Sequence, residues 1–342
     1  MLSLHIDAPR WRAHADAVLL STPGLVPVVK GNGYGFGRGL LAAECTRLGV
    51  PTLAVGQPAE LDDVRAAFDG DLLVLQPELP GAPAPARDDR VLRTAASLEA
   101  VHALAGQRVV VELLTSMQRF GLTDVELGQL ADLLPSLQFE GIALHLPIDA
   151  GSVGRVAEVD DRLATLRAAH IPVTTLWVSH LTEAELVRVA AAHPDVAFRS
   201  RIGTRLWLGE RTAAQARSTV LAGHRLRKGQ RFGYRQHKAP RDGVLLVVGG
   251  GTANGVALSA PSPVRGITER AKVAAIGTLE AAGRSLSPFH VDGSQRWFAE
   301  PPHMQISMLW LPDGVVVPAV GSEIDVDVRM TTTTYDQVDL DD

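Results

Sequence analysis

Of the 33 basic residues, only Lys30, Lys228, Lys238 and Lys272 are lysines. A guanidinium serves wherever a permanent positive charge suffices, but only a primary amine can lose its proton near neutral pH and form an imine with a carbonyl. Lys30 ends the apolar run in VPVVKGNGYGFGRG (26–39), and glycine follows at 31, 33, 35, 37 and 39. An ammonium leaving a buried strand is partly desolvated, which lowers its pKa and frees the neutral amine. The glycines let backbone approach a bound group closely. A lysine snorkelling from a strand end beside a flexible turn fits the same local sequence. Other side chains with chemical potential are His145 and His180, Arg119 and Arg201, Glu112, and the only three tyrosines, Tyr34, Tyr234 and Tyr335. Taken singly, each fits a bland role as well, as a satisfied buried histidine or a solvated arginine.

The elements that must position these residues alternate. Short apolar or β-branched runs occur at 25–30, 51–55, 72–76, 90–94, 109–114, 137–145, 173–180 and 196–201. Segments with helical spacing lie between most of them, as at 40–48, 60–68, 153–170 and 183–193. Eight strands in βα order predict a closed (β/α)8 TIM barrel, whose active face is its C-terminal strand ends. An open doubly wound sheet is the alternative, and 80–87 reads as a loop. Past about residue 221 alternating β segments take over, at 243–248, 273–276, 305–311, 314–317 and 324–328. The expected division is a barrel over 9–220 and a mostly-β domain over 221–342, with residues 1–8 pairing with the latter.

Composition narrows the class. An apolar fraction of 46% and a charged fraction of 21% are globular values. A net charge of −5 gives no broad basic surface for nucleic acid. No apolar run reaches the ~20 residues a membrane span needs. The N-terminus lacks the pattern of a secretory signal. One cysteine, Cys45, allows neither an intramolecular disulfide nor a cysteine-rich metal site. A cytoplasmic location is the expectation, with no metal, no nucleic acid and no membrane partner.

Read together, the segments resemble the alanine racemase family. VVKGNGYGFG is similar to its cofactor motif V-V-K-A-N-A-Y-G-H-G, with Lys30, Asn32, Tyr34, Gly35 and Gly37 matching and Gly31, Gly33 and Phe36 differing. The resemblance implies pyridoxal 5′-phosphate (PLP) joined to Lys30, with Tyr34 at its phosphate. SMQRFG (116–121) resembles G-M-x-R-x-G, which implies that Arg119 contacts the PLP phenolic oxygen and helps to hold substrate. Glu112 stands where the family often has a carbamylated lysine, and would supply a carboxylate unmodified. ALHLP (143–147) implies His145 beside the cofactor ring. VSHLTEAEL (178–186) implies His180 positioning the pyridine-contacting arginine. Glu183-Ala184 replaces the family's Asn-Ser there, and Thr182 is the available substitute for the lost hydroxyl. RIGTRLWLG (201–209) resembles R-x-G-x-x-x-Y-G, with Trp207 and Leu208 differing. It implies Arg201 at the pyridine nitrogen, and Gly203 and Thr204 offering N–H groups to the phosphate.

The later segments follow in the family's order. KGQRFGY (228–234) resembles K-G-E-x-V-S-Y-G and makes Tyr234 the second catalytic base. GTANG (251–255) resembles G-Y-A-D-G with Thr252 and Asn254 changed, and HMQ (303–305) resembles C-M-D, keeping Met304 near the substrate mouth with Gln305 changed. TTTTYD (331–336) implies Tyr335 as a second phosphate contact. The implied function is racemisation of an amino acid, alanine foremost, by two bases, Lys30 and Tyr234. The implied assembly is a head-to-tail homodimer in which Tyr234 comes from the partner subunit. Other PLP chemistry on the same scaffold, a PLP-binding protein with little catalysis, and a barrel that uses no PLP are the competing readings.

Overall fold

In the computed structural model of the protein, residues 1–81, 83, 85–149, 151, 154–258, 266 and 285–342 are described. The chain forms two compact units, Arg12–Gly209 and Met1–Trp11 with Glu210–Asp342.

Strand β1 (Leu2–Asp7) and helix α1 (Ala8–Ser21) open the chain. Eight strands then close into a barrel: β2 (Leu25–Val29), β3 (Thr52–Val55), β4 (Asp71–Pro77), β5 (Val91–Ala95), β6 (Arg108–Leu113), β7 (Gln138–His145), β8 (Thr175–Ser179) and β9 (Ala197–Ile202). Parallel pairing of β9 with β2, Ser200 opposite Leu25 and Arg201 opposite Val26, completes the circle and rules out the open sheet. Between and after the strands run α2 (Arg38–Arg47), α3 (Leu61–Arg65), α4 (Leu98–Ala103), α5 (Leu127–Leu133), α6 (Arg155–Ala168), α7 (Glu183–Ala192) and α8 (Thr204–Leu208). No helix occurs among the described residues between β4 and β5, the Pro/Ala-rich stretch expected to be a loop.

Strand alternation sorts the barrel's side chains into two layers. Val26, Val28, Ala54, Leu73, Leu92, Val110, Ala143 and Trp177 pack together inside. Val109, Val111, Ile142, Leu144, Leu176, Val178 and Phe198 belong to a separate layer with helix residues such as Leu163 and Val189. The alternation fixes which later residues face the interior. Lys30 continues the row of Val26 and Val28, Glu112 that of Val110, His145 that of Ala143, and Ser179 that of Trp177. Arg201 faces inward because Phe198, of opposite parity, faces out.

The second unit is mostly β. It contains β10 (Ala214–Leu226), β11 (Arg231–Phe232), β12 (His237–Lys238), β13 (Gly243–Gly249), β14 (Leu286–Val291), β15 (Ser294–Phe298), β16 (Ile306–Pro312), β17 (Glu323–Asp325) and β18 (Gln337–Asp341). The main sheet runs β14-β15-β16-β13-β10-β1-β18, with β17 also on β10. The first half of β10 pairs with β1 and the second half with β13, across a bulge between Val220 and Ala222. The expected division at 220/221 therefore falls inside one strand, and the units part at Gly209/Glu210. The stretch 314–317, expected as a strand, is a turn running into irregular chain: Gly314 takes φ +92, and Val316 stands 71% exposed. The strand expected at 273–276 lies outside the described residues. No helix among the described residues is long and apolar enough to cross a membrane.

Candidate functional site

The C-terminal strand ends of the barrel carry Lys30 after β2, Glu112 on β6, His145 closing β7, His180 after β8 and Arg201 on β9. Arg119 lies in the loop after β6. This is the face where a barrel gathers its reactive groups. Three loop residues at this end, Tyr34 (φ 55), Gln118 (φ 55) and His180 (φ 65), hold the left-handed backbone that L side chains rarely adopt. Strain of this kind clusters at functional sites.

Electrostatics ties the group together. Burial pushes the Lys30 ammonium below its usual pKa; Arg119 adds to this, Glu60 opposes it and Arg201 adds again. Lys30 remains open to solvent in the single chain, so its amine is both accessible and disfavoured as a cation. Burial pushes His145 down to about 3, with Arg201, Arg119, His180 and Lys30 reinforcing it. His180 is lowered by burial and by Arg201, Arg155, Lys30 and Arg119. The two imidazoles meet edge to face, with centroids 5.2 Å apart. Both are neutral at pH 7. Glu112, 2% exposed, is pushed up by burial while Arg201 and Arg119 pull it back. It is the carboxylate that offsets the two guanidinium groups.

Arg201 is 7% exposed. Its Nη2 donates to the Leu144 carbonyl at 3.0 Å. Its Nε is buried with no hydrogen-bond partner. Buried polar atoms are nearly always satisfied, so an orphan donor here is a place for a ligand acceptor. Tyr34 is buried, and its hydroxyl lies so near Gly203 that a Cβ there would sit 1.9 Å from the oxygen. Burial raises the Tyr34 phenol to about 12, with Glu60 adding to the rise, which keeps it a neutral donor. Trp207 on α8 donates from Nε1 to the Val28 carbonyl at 2.9 Å, tying this turn to β2. Thr204 is exposed at the start of α8.

Two site residues escaped the sequence reading. Glu60, 5% exposed, accepts from the N–H of Gly31 at 2.9 Å and of Gly56 at 2.7 Å, so it clamps the loop beside Lys30 to the loop after β3. Its signal was an acidic residue just past a strand's C-terminal end. Ser179 Oγ lies 3.0 Å from His145 Nδ1 and orients that ring. Counting alternation from Trp177 would have found it. Thr182, the substitute hydroxyl, is already engaged: it caps α7, accepting from the Glu185 N–H at 3.2 Å, with its hydroxyl 2.9 Å from Glu185 Oε2. Glu183 accepts from Ser21 at 2.7 Å and from Arg205 at 2.9 Å, so the start of α7 is tied to the end of α1 and the start of α8.

The remaining expected residues lie in the β unit. Tyr234 is 83% exposed and Met304 73%, and both line an open groove of about 670 Å³ with Thr252 and Gln305. Asn254 is buried: its Nδ2 donates to the Thr334 carbonyl and to Asp336 Oδ1, both at 3.0 Å, and its Oδ1 accepts from the Gly251 N–H. An aspartate there would repel Asp336, so this departure has a structural reason. Tyr335 packs against the β core, and its hydroxyl points at Met330 Sδ, 2.9 Å away. That placement lends no support to a phosphate contact.

Residues 6–170 match the sequence profile of the alanine racemase N-terminal domain. No curated protein matches the chain. Among solved structures, alanine racemase from Bartonella henselae with covalently bound pyridoxal phosphate is 15% identical, with 99% of each chain covered and a TM-score of 0.71. Alanine racemase from E. faecalis is 18% identical over 99% of this chain and 98% of its own, with a TM-score of 0.67. Alanine racemase from Bacillus anthracis with bound L-Ala-P is 17% identical over 98% and 87%, with a TM-score of 0.69. At such identities the likeness is one of fold.

Proposed function

We propose that this chain, whose residues 6–170 match the sequence profile of the alanine racemase N-terminal domain, is a PLP-dependent amino acid racemase, with alanine as the first substrate to test. The observation that carries the reading is the orphan Nε of buried Arg201 on the same barrel face as a lysine whose ammonium is disfavoured.

The residues fit the cofactor. Arg201 Nε is a donor awaiting an acceptor such as the pyridine nitrogen. A guanidinium does not surrender its proton, so Arg201 would leave that nitrogen unprotonated. Gly203 keeps the space beside the Tyr34 hydroxyl clear, and Tyr34, Gly203 and Thr204 would hold the phosphate. Lys30 would hold the cofactor covalently, with His145 and His180 against its ring and Arg119 at its phenolic oxygen. When bound, PLP withdraws electrons from the substrate nitrogen and so acidifies the Cα–H.

Lys30 would take or return the Cα proton on one face of the substrate, and Tyr234 on the other. Tyr234 would come from a second copy in a head-to-tail dimer, consistent with a ring left 83% exposed in the single chain. Arg119 would hold the substrate carboxylate, and Met304 would line its entrance. The test is conversion of L-alanine to D-alanine by the PLP-loaded protein, read by chiral chromatography, beside Lys30→Ala and Tyr234→Phe. Formation of D-alanine that both variants lose supports the reading. Absence of racemisation across a panel of amino acids overturns it.

One observation favours a second reading. The substitute hydroxyl of Thr182 is spent on a helix cap, which removes a phosphate contact and suits a protein that holds and releases PLP with little catalysis. Weak PLP retention without turnover would select it.

A further inference from the structure

Glu300 is the only buried acidic side chain among the described residues of the β unit. A carboxylate is costly to bury unless charge-assisted hydrogen bonds offset the loss of water. Its two oxygens accept from the Tyr234 N–H, at 3.1 Å from Oε2 and 3.4 Å from Oε1. Oε1 also lies 2.6 Å from His303 Nε2. Room for this exists because residue 233 is glycine: a Cβ there would stand 2.1 Å from Glu300 Oε2. The His303 imidazole lies against the Tyr234 ring, centroids 4.4 Å apart and tilted 34°. His303 is itself anchored, its N–H donating to the Ile306 carbonyl and its carbonyl accepting from the Thr252 N–H.

One buried carboxylate thus fixes both the backbone of an exposed tyrosine and the ring that covers one of its faces. We infer that Glu300 and His303 are positioning residues for Tyr234: Glu300 sets the loop and orients the imidazole, and the imidazole confines the phenol to one rotamer. An exposed ring without such a brace samples several rotamers, and holding it in one removes that loss from each turnover. The inference rests on the reading of Tyr234 as a proton carrier, but its physical content can be measured without turnover.

The test uses full-length protein carrying 13C-labelled tyrosine. With three tyrosines the ring spectrum has three sets of signals, and Tyr234→Phe assigns one. In His303→Ala and Glu300→Ala the Tyr234 signals should move to those of a freely rotating ring, while Tyr34 and Tyr335 stay put and report an intact fold. Glu300→Gln, which keeps an acceptor, should recover part of the change. Racemisation should lose roughly tenfold in kcat with little change in KM. Unmoved Tyr234 signals in His303→Ala overturn the inference, whatever the activity. If the signals move but the wild type racemises nothing, the positioning stands and the proposed reaction falls.

Discussion

A side chain at Gly203 would collide with the Tyr34 hydroxyl, the nearest approach being 1.9 Å. The loop after β2 and the start of α8 therefore share one small space, kept free of carbon on one side and supplied with a hydroxyl on the other. Gly203→Ala should force the phenol out. The expected result is a fall in PLP affinity and a loss of about 1–3 kcal/mol in stability, the usual size for overpacking. Thermal denaturation and PLP titration would check both. Unchanged affinity would mean that Tyr34 and Gly203 do not hold the phosphate.

Glu60 acts on Lys30 by its charge and on Gly31 by a hydrogen bond. Glu60→Gln removes the charge and keeps an acceptor. Without the nearby anion the ammonium is less favoured, so the Lys30 pKa should fall further. The pH at which covalent PLP attachment is half complete, trapped by borohydride and read by mass spectrometry, should move down. An upward move would contradict the assigned sign.

The depressed imidazole of His145 makes a statement about acid stability. Unfolded, it titrates near 6.5; folded, burial holds it at about 3. Between those values the unfolded chain binds the extra proton. Its contribution is therefore full above pH 6.5 and is lost as pH falls toward 3, with a slope of at most about 1.4 kcal/mol per pH unit. Denaturant melts of the wild type and His145→Asn at several pH values should show a flatter acid limb in the variant. Equal slopes would refute the assignment.

If Tyr234 serves the barrel of a second copy, two dead variants should rescue each other. Lys30→Ala supplies an intact tyrosine and Tyr234→Phe an intact lysine. Random mixing makes half the dimers hybrid, each with one complete site of two, so activity should recover to about a quarter of wild type. Each variant alone, refolded at the same concentration, is the control. No recovery in a verified hybrid would mean that each site draws both bases from one chain.

Much of this was legible in the sequence because alternation and motif order are local. All eight barrel strands lie on the apolar runs, and the interior row that carries Lys30 follows from counting by two from Val26. What escaped depended on distant contacts. Glu60 matters because it reaches the N–H groups of Gly31 and Gly56; an acidic residue past a strand end hints at a site, but the contact with Gly31, 29 residues away, is set only by the fold. The turn at 314–317 looks like a strand by composition, but Gly314 at φ +92 ends the pairing that β16 began. The length of β10 was hidden because its two halves serve different partners, and AQARSTVLAGHRL shows no single alternation.

The place of β1 in the main sheet has a consequence for synthesis. Leu2–Asp7 lies between β10 and β18, with Leu2 opposite Ser218 and Ser3 beside Gln337. On the ribosome, residues 12–209 emerge as one uninterrupted stretch and can close β2 against β9 before β10 has emerged. Strand β1, made before the barrel, then waits with one edge unpaired until β10 emerges and with the other unpaired until β18 does. An unpaired edge is where a nascent chain is most readily captured by a chaperone or by a neighbouring copy.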